Sequence, residues 1–194
     1  MASDVEIANR ALSKLGDKTI VSLTEDSNSA RAINECYVLV RKNEIRRHPW
    51  HFAKKRALLA ASATAPAFDF SYAYPLPSDC LRVLMPHPES DSVQYDGKVD
   101  WKIEGRSILS DQAGPLKITY LADVTDSEQF DAAFVDTFAA RLAAEVSMRL
   151  TGSAEKRKLA LEEYRMSLLE ARRVNAFEQF SIERPMGDWE IARL

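Results

Sequence analysis

Ser71-Tyr-Ala-Tyr-Pro-Leu-Pro-Ser-Asp-Cys-Leu-Arg-Val-Leu84 lies between two stretches of helical character and carries a different period from both. Phe68, Phe70, Tyr72 and Tyr74 alternate strictly on its N-terminal side, which predicts a strand with all four rings on one face. Pro75 and Pro77 end that strand, and Leu81-Arg-Val-Leu-Met85 predicts a second. Val99-Asp-Trp-Lys-Ile103 and Arg106-Ser-Ile-Leu109, separated by Glu104 and Gly105, have the pattern of a hairpin. Leu116-Lys-Ile-Thr-Tyr-Leu121 alternates again. The middle of the chain is therefore expected to be a small antiparallel β domain over residues 51–124.

The flanks have helical spacing. Ser3-Asp-Val-Glu6 is a capping box, in which Ser3 bonds a free N–H and Glu6 reaches back to the cap. Ala8, Ala11, Leu12 and Leu15 then share one face, and Gly16 supplies the left-handed stop. Asp26, Ser27 and Asn28 are three possible caps for a second helix with Ala30, Ile33, Tyr37 and Val40 on one face. Pro49 ends it near His48, because the residue before proline disfavours helix. After Thr125-Asp126, Phe134, Phe138, Leu142, Val146 and Leu150 form an apolar stripe that Thr151-Gly152 ends. A fourth helix opens at Ser153 or Ala154 with Leu161, Tyr164, Leu168 and Ala171 on one face and charges on the other. The short connection predicts that these last two helices pack antiparallel. Neither pair hides its stripe alone, so the expected fold class is α+β: one helical bundle from residues 1–50 and 125–174, with the β domain inserted. Residues 175–194 form a C-terminal arm too rich in aromatics for an ordinary disordered tail, and it docks either on its own domain or on another chain.

Composition excludes several functions. A net charge of −3 does not suggest a general nucleic-acid binder. Charge is uneven, however. Arg41, Lys42, Arg46, Arg47, Lys54, Lys55 and Arg56 face one acid, Glu44, within residues 41–56. This basic segment is a candidate inter-subunit electrostatic patch or, with Trp50 and Phe52, a crude nucleic-acid contact. The nearer expectation is that Trp50 and Phe52 close the core at the helix end, and that the rings of 68–74 pack on a core or a neighbour. Cys36 and Cys80 lack disulfide-framework and metal spacing, and are expected as free thiols. No signal peptide or membrane span is expected, and the chain is expected to begin soluble in a cytoplasm.

Enzyme motifs are sparse. The six glycines never cluster, so neither a P-loop nor a dinucleotide turn can be written. His48 and His51 have Pro49 between them and no cysteine near, which is a poor zinc pattern. The nucleophile-elbow pattern is missing. Asp96, Asp100, Glu104 and Asp111 are available as paired acids, but nothing marks a pair. No catalytic, cofactor or metal residues are assigned.

Three stretches carry a family resemblance. They are Ile7-Ala-Asn-Arg-Ala-Leu-Ser-Lys-Leu-Gly16 with Asn28-Ser-Ala-Arg-Ala-Ile33; Pro49-Trp-His-Phe-Ala-Lys-Lys55 leading into Tyr72–Val83; and Phe130-Asp-Ala-Ala-Phe-Val-Asp-Thr-Phe-Ala-Ala-Arg-Leu-Ala-Ala-Glu145 with Leu150-Thr-Gly152. In order and spacing these resemble the tail tubular protein A family, the head-to-tail adaptors of short-tailed phages (podoviruses). The resemblance implies a structural virion protein with no enzyme activity and no cofactor. It implies a homo-oligomeric ring, commonly a dodecamer, assembled in the host cytoplasm and resident in the virion tail. The ring would join the portal protein to a tail nozzle protein of the tail tubular protein B type and offer attachment to a tail fibre or tailspike. DNA would pass through its lumen during ejection without sequence-specific binding. By the same analogy Phe177, Phe180, Ile182 and Trp189 of the arm would anchor in the portal or a neighbouring subunit. The alternatives are a nucleic-acid-contacting accessory protein, from the basic segment, and a tail-associated polysaccharide hydrolase.

Overall fold

The computed structural model describes residues 2–87 and 101–178. Helix α1 (Asp4–Leu15) starts on the Ser3/Glu6 capping box and stops at Gly16, whose φ of 70° is the left-handed conformation glycine adopts without strain. Helix α2 (Asn28–Arg47) takes Ser27 as its cap, and His48 is already extended ahead of Pro49. Six strands follow: β1 (Lys54–Leu59), β2 (Tyr72–Pro75), β3 (Cys80–His87), β4 (Trp101–Glu104), β5 (Ser107–Ser110) and β6 (Leu116–Ala122). The chain then returns to helix in α3 (Ala132–Thr151) and α4 (Ala154–Phe177). The fold is α+β, a helical bundle from both ends of the chain with antiparallel sheets between.

Helix α3 is the bundle's axis. Phe134, Phe138, Leu142 and Val146 are buried as their spacing predicts, but so are Val135, Ala139, Ala140, Ala143 and Ala144. A helix buried on several sides needs small residues where neighbours approach closely, and α1, α2 and α4 all pack on this one. Phe134 touches the rings of Trp50, Phe52, Phe130 and Phe138, with centroids 4.8–5.8 Å apart. Trp50 is buried, and its indole N–H donates to the Glu44 carbonyl at 2.9 Å, as its position at a helix end suggests. Asp131 caps α3; a short 3₁₀ turn at Ser127–Gln129, capped by Asp126, precedes it and sets Phe130 over the first helical turn.

The β unit has two three-stranded antiparallel sheets, ordered β1-β6-β3 and β2-β5-β4. Leu59, Leu116, Ile118 and Tyr120 of the first share a core with Tyr74 and Ile108 of the second. Leu121, one residue out of that phase, points into the bundle core instead. The first sheet thus lies between the bundle and the second sheet. The hairpin forms with Gly105 at φ 56° in its turn.

Two expectations need correction. Phe68 and Phe70 do not extend the strand of Tyr72 and Tyr74. Asp69 adopts φ 69°, the Phe70 N–H turns back to the Phe68 carbonyl at 2.9 Å, and Phe68 is 77% exposed. A left-handed residue breaks the period-two alternation, so the four rings share no face. The second concerns the arm. Helix α4 continues through Phe177, because buried Asn175 is tied to the end of α2: its side-chain oxygen accepts from the His51 N–H at 3.1 Å, and its amide nitrogen lies 3.1 Å from His48 Nε2.

Candidate functional site

The basic segment forms the seam between bundle and β unit. Arg41, nearly buried, donates to Asp123 just past β6 at 3.0 Å, and Lys42 lies 3.5 Å from the same carboxylate. Lys55 on β1 bonds Asp79 at 3.0 Å, and Asp79 also accepts from the Tyr120 hydroxyl at 3.1 Å. The Arg46 guanidinium donates to the Leu81 carbonyl of β3, and Arg82 reaches back toward the Arg46 carbonyl at 3.5 Å. Arg56 lines a shallow concavity of about 620 Å³ with Ala57, Leu58, Lys117 and Ile118 along β1 and β6. Burial holds the Lys54 amine below its ordinary pKa. The structure therefore brings Arg41, Lys42, Arg46, Arg47 and Lys55 to intrachain partners. The segment available to a neighbouring subunit is narrower than its sequence charge suggests.

Beneath the seam lies Glu44, which the sequence shows only as the one acid of the basic segment. The α2 stripe Ala30, Ile33, Tyr37, Val40 continues at the same spacing to Glu44, which is 0% exposed. The Tyr164 hydroxyl of α4 donates to its two carboxylate oxygens at 3.0 and 2.9 Å, and accepts from Arg47 at 2.8 Å. The guanidiniums of Arg47 and Arg141 lie over the Tyr164 ring, 5.8 and 5.7 Å from its centroid. Burial raises the Glu44 pKa, opposed by the Tyr164 bond and by Arg47, Arg141 and Arg172. Burial, followed by the Glu44 charge, pushes the Tyr164 phenol up. The stripe's 3–4 spacing was the signal for Glu44, since extending it by one step lands on an acid that must be paired if buried.

Above this network is a cavity of about 400 Å³ lined by Val40, Asn43, Arg46, Arg47, Arg82 and Arg141. Its four guanidiniums come from the end of α2, the start of β3 and the middle of α3.

A third feature is the outer face of α4. Leu159, Met166, Leu169, Val174 and Phe177 are exposed there, Phe177 at 88%. Leu159, Met166 and Phe177 are spaced by seven and eleven residues, close to two and three helical turns, so they share one side. Exposed Glu162, Glu163 and Glu170 are interspersed, with Glu163 paired to Lys14. Phe180, Ile182 and Trp189 of the expected arm lie outside the described residues, as do Asp96 and Asp100.

The two described acids of the four considered as pairs have intrachain partners. Glu104 pairs with Lys102 at 2.8 Å, and Asp111 accepts from the Ser71 N–H and hydroxyl, both at 2.8 Å. The His51 ring contacts the Asn175 carbonyl at 2.7 Å. Cys36 and Cys80 are free thiols, Cys36 raised by burial to about 11. Among the described residues there is no group of three or more His, Cys, Asp or Glu placed to hold a metal ion. No described helix is long and apolar enough to cross a membrane. No protein-family model matches the chain, and no curated protein matches it.

Proposed function

We propose that this chain is a structural subunit of a phage tail, an adaptor that forms a ring between the capsid portal and the tail nozzle. The reading keeps the virion location, the homo-oligomeric ring and the portal, nozzle and fibre or tailspike partners that the sequence resemblance implies. Its role is non-enzymatic. The observation that carries it is the uncovered α4 face, where five large apolar side chains stand in solvent along one helix. Monomeric proteins seldom leave such a run of large apolar groups open, and a run with charges between its members fits a protein interface. The arrangement of the bundle adds support. Helices from both ends of the chain close around α3, leaving α4's outer face and the β unit as unlike surfaces. A ring requires such unlike surfaces, because each subunit meets its neighbours head to tail.

The inter-subunit contact is assigned chiefly to the α4 face and the segment after it, with Phe177 at the junction. The basic segment's part is reduced, chiefly to Arg56 and to the donors that Arg46 and Arg47 present at the mouth of the arginine-lined cavity. The test is a double substitution, Leu159→Glu with Met166→Glu, in the full chain. Both positions are exposed, so circular dichroism and melting should match the wild type. Incorporation into rings on an isolated portal, counted in negative-stain images, should be lost. Normal incorporation with unchanged folding would remove α4 from the interface.

A further inference from the structure

We infer that the arginine-lined cavity at the junction of α2, β3 and α3 is a binding site for a phosphate-class oxyanion. The inference goes beyond the adaptor reading and holds whether or not the chain forms a ring.

The charge balance carries the first part of the argument. Arg46, Arg47, Arg82 and Arg141 line one cavity of about 400 Å³ with Val40 and Asn43, and no carboxylate belongs to its lining. Two acids touch the cluster from outside that lining. Glu44 lies 3.8 Å from Arg47 and 3.7 Å from Arg141, long distances for ion pairs, and its carboxylate is already shared with Tyr164. Glu145 bonds Arg141 at 2.8 Å. Among the described residues, Arg46 and Arg82 have only carbonyl acceptors, those of Leu81 and Arg46. Four like charges therefore converge on one concavity against two acids, and an anion in it would offset their repulsion.

The second part is geometric. A guanidinium has five N–H donors in a rigid fork. Arg46 and Arg82 each direct part of that fork at the other's strand or helix end, which orients the side chains across the junction and, among the described residues, leaves their remaining donors for a ligand. Arg47 is likewise held by the Tyr164 hydroxyl. Preorganised side chains lose little entropy on binding. The donors also approach from three elements rather than along one edge. A planar carboxylate offers two oxygens to one fork, whereas a phosphate offers oxygens in several directions and up to two charges. The Asn43 amide adds a neutral donor at the rim. Two sources share this chemistry: free phosphates, such as inorganic phosphate and pyrophosphate, and the phosphodiester backbone of a nucleic acid.

The experiment is thermal melting and titration calorimetry of the full chain with phosphate and with pyrophosphate, against sodium chloride at matched ionic strength. Either anion should raise Tm in a saturable way. Arg82→Gln should weaken binding by about tenfold, the effect of losing charge-assisted hydrogen bonds to one side chain. Because Arg82 also contacts the end of α2, Asn43→Asp is the second variant. It puts a carboxylate at the rim and leaves every arginine in place, so it should abolish the ligand-induced shift and, by offsetting the same repulsion, raise the apo melting temperature. Competition by a short DNA duplex then identifies the source: displacement of pyrophosphate points to a nucleic-acid backbone, and its absence to a free phosphate. A Tm response no larger than that to chloride, or an equal response from Asn43→Asp, would overturn the inference. Neither result would alter the ring-assembly outcome of the α4 variants.

Discussion

The bundle and the β unit bury their apolar residues in different ways. In the bundle, α3 is enclosed by helices from both ends of the chain, and one run of aromatic contacts links Trp50, Phe52, Phe130, Phe134 and Phe138. In the β unit, two short sheets share a few side chains around Tyr74 and Ile108, and the outer strands β1 and β4 leave Leu58 and Ile103 exposed. The bundle is closed by long-range contacts, so removing either end opens its core. The β unit is held from outside, by Leu121 entering the bundle and by the ion pairs of Arg41 and Lys42 with Asp123. The comparison assigns the bundle the role of rigid body and the β unit that of a smaller appended surface, stabilised at a polar seam.

The largest effect should come from Phe134→Ala. It removes a fully buried ring with four aromatic neighbours and should cost about 3–5 kcal/mol. Chemical denaturation followed by helical circular dichroism should show it. Ile108→Ala removes a fully buried side chain of the β core, where the small sheets can close over the gap. It should cost about 2 kcal/mol, at the low end for such deletions. Hydrogen exchange should place its loss mainly on β2, β4 and β5, with α3 still protected. Equal deprotection of α3 in both variants would erase the distinction between the two regions.

Asp123→Asn tests the seam. It removes the charge that Arg41 and Lys42 share and should cost about 2 kcal/mol, in the range for hydrogen bonds to charged groups. Exchange should rise along β6 and at the end of α2 before it rises in α1. A uniform rise would mean that bundle and β unit melt as one.

The smallest effect is a pH dependence at the α2–α4 clamp. Burial, then the positive charges of Arg172, Lys54 and His51, hold the His48 pKa below its ordinary value of 6.5. The folded chain therefore binds fewer protons than the unfolded chain in the window just below pH 6.5. The stability His48 contributes is present above that window and is lost as pH falls through the depressed folded value. His48→Gln keeps a polar group near Asn175 and cannot titrate. Between pH 7 and 5 the wild type should lose stability relative to this variant. Glu44, with a raised pKa, gains stability as pH falls, but it is present in both proteins and cancels in the difference. Parallel curves would remove His48 from the account.

These contrasts also explain what could be read in advance. The bundle was legible because its signals are local: Ser3 with Glu6, Gly16, Pro49 and Gly152 mark ends, and the 30-33-37-40 and 134-138-142-146 spacings mark faces. Strand β1 was not, because Lys54-Lys55-Arg56 looks like surface charge. It is a strand only through pairing with β6, more than fifty residues away. The alternation through Phe68 and Phe70 misled for the converse reason, since one left-handed residue at Asp69 cancels a pattern that side chains alone suggest. The arginine-lined cavity was half visible. Arg46 and Arg47 stood out in the basic segment, while Arg82 and Arg141 joined them only when β3 and α3 were brought to the end of α2.

The most direct test of the adaptor reading is the mass of the purified full chain by light scattering, alone and mixed with a phage portal ring. The account predicts a defined complex on the portal, with the mass of a closed ring and a ring-shaped density in negative stain. A chain that keeps its unmixed mass and leaves the portal bare would contradict it.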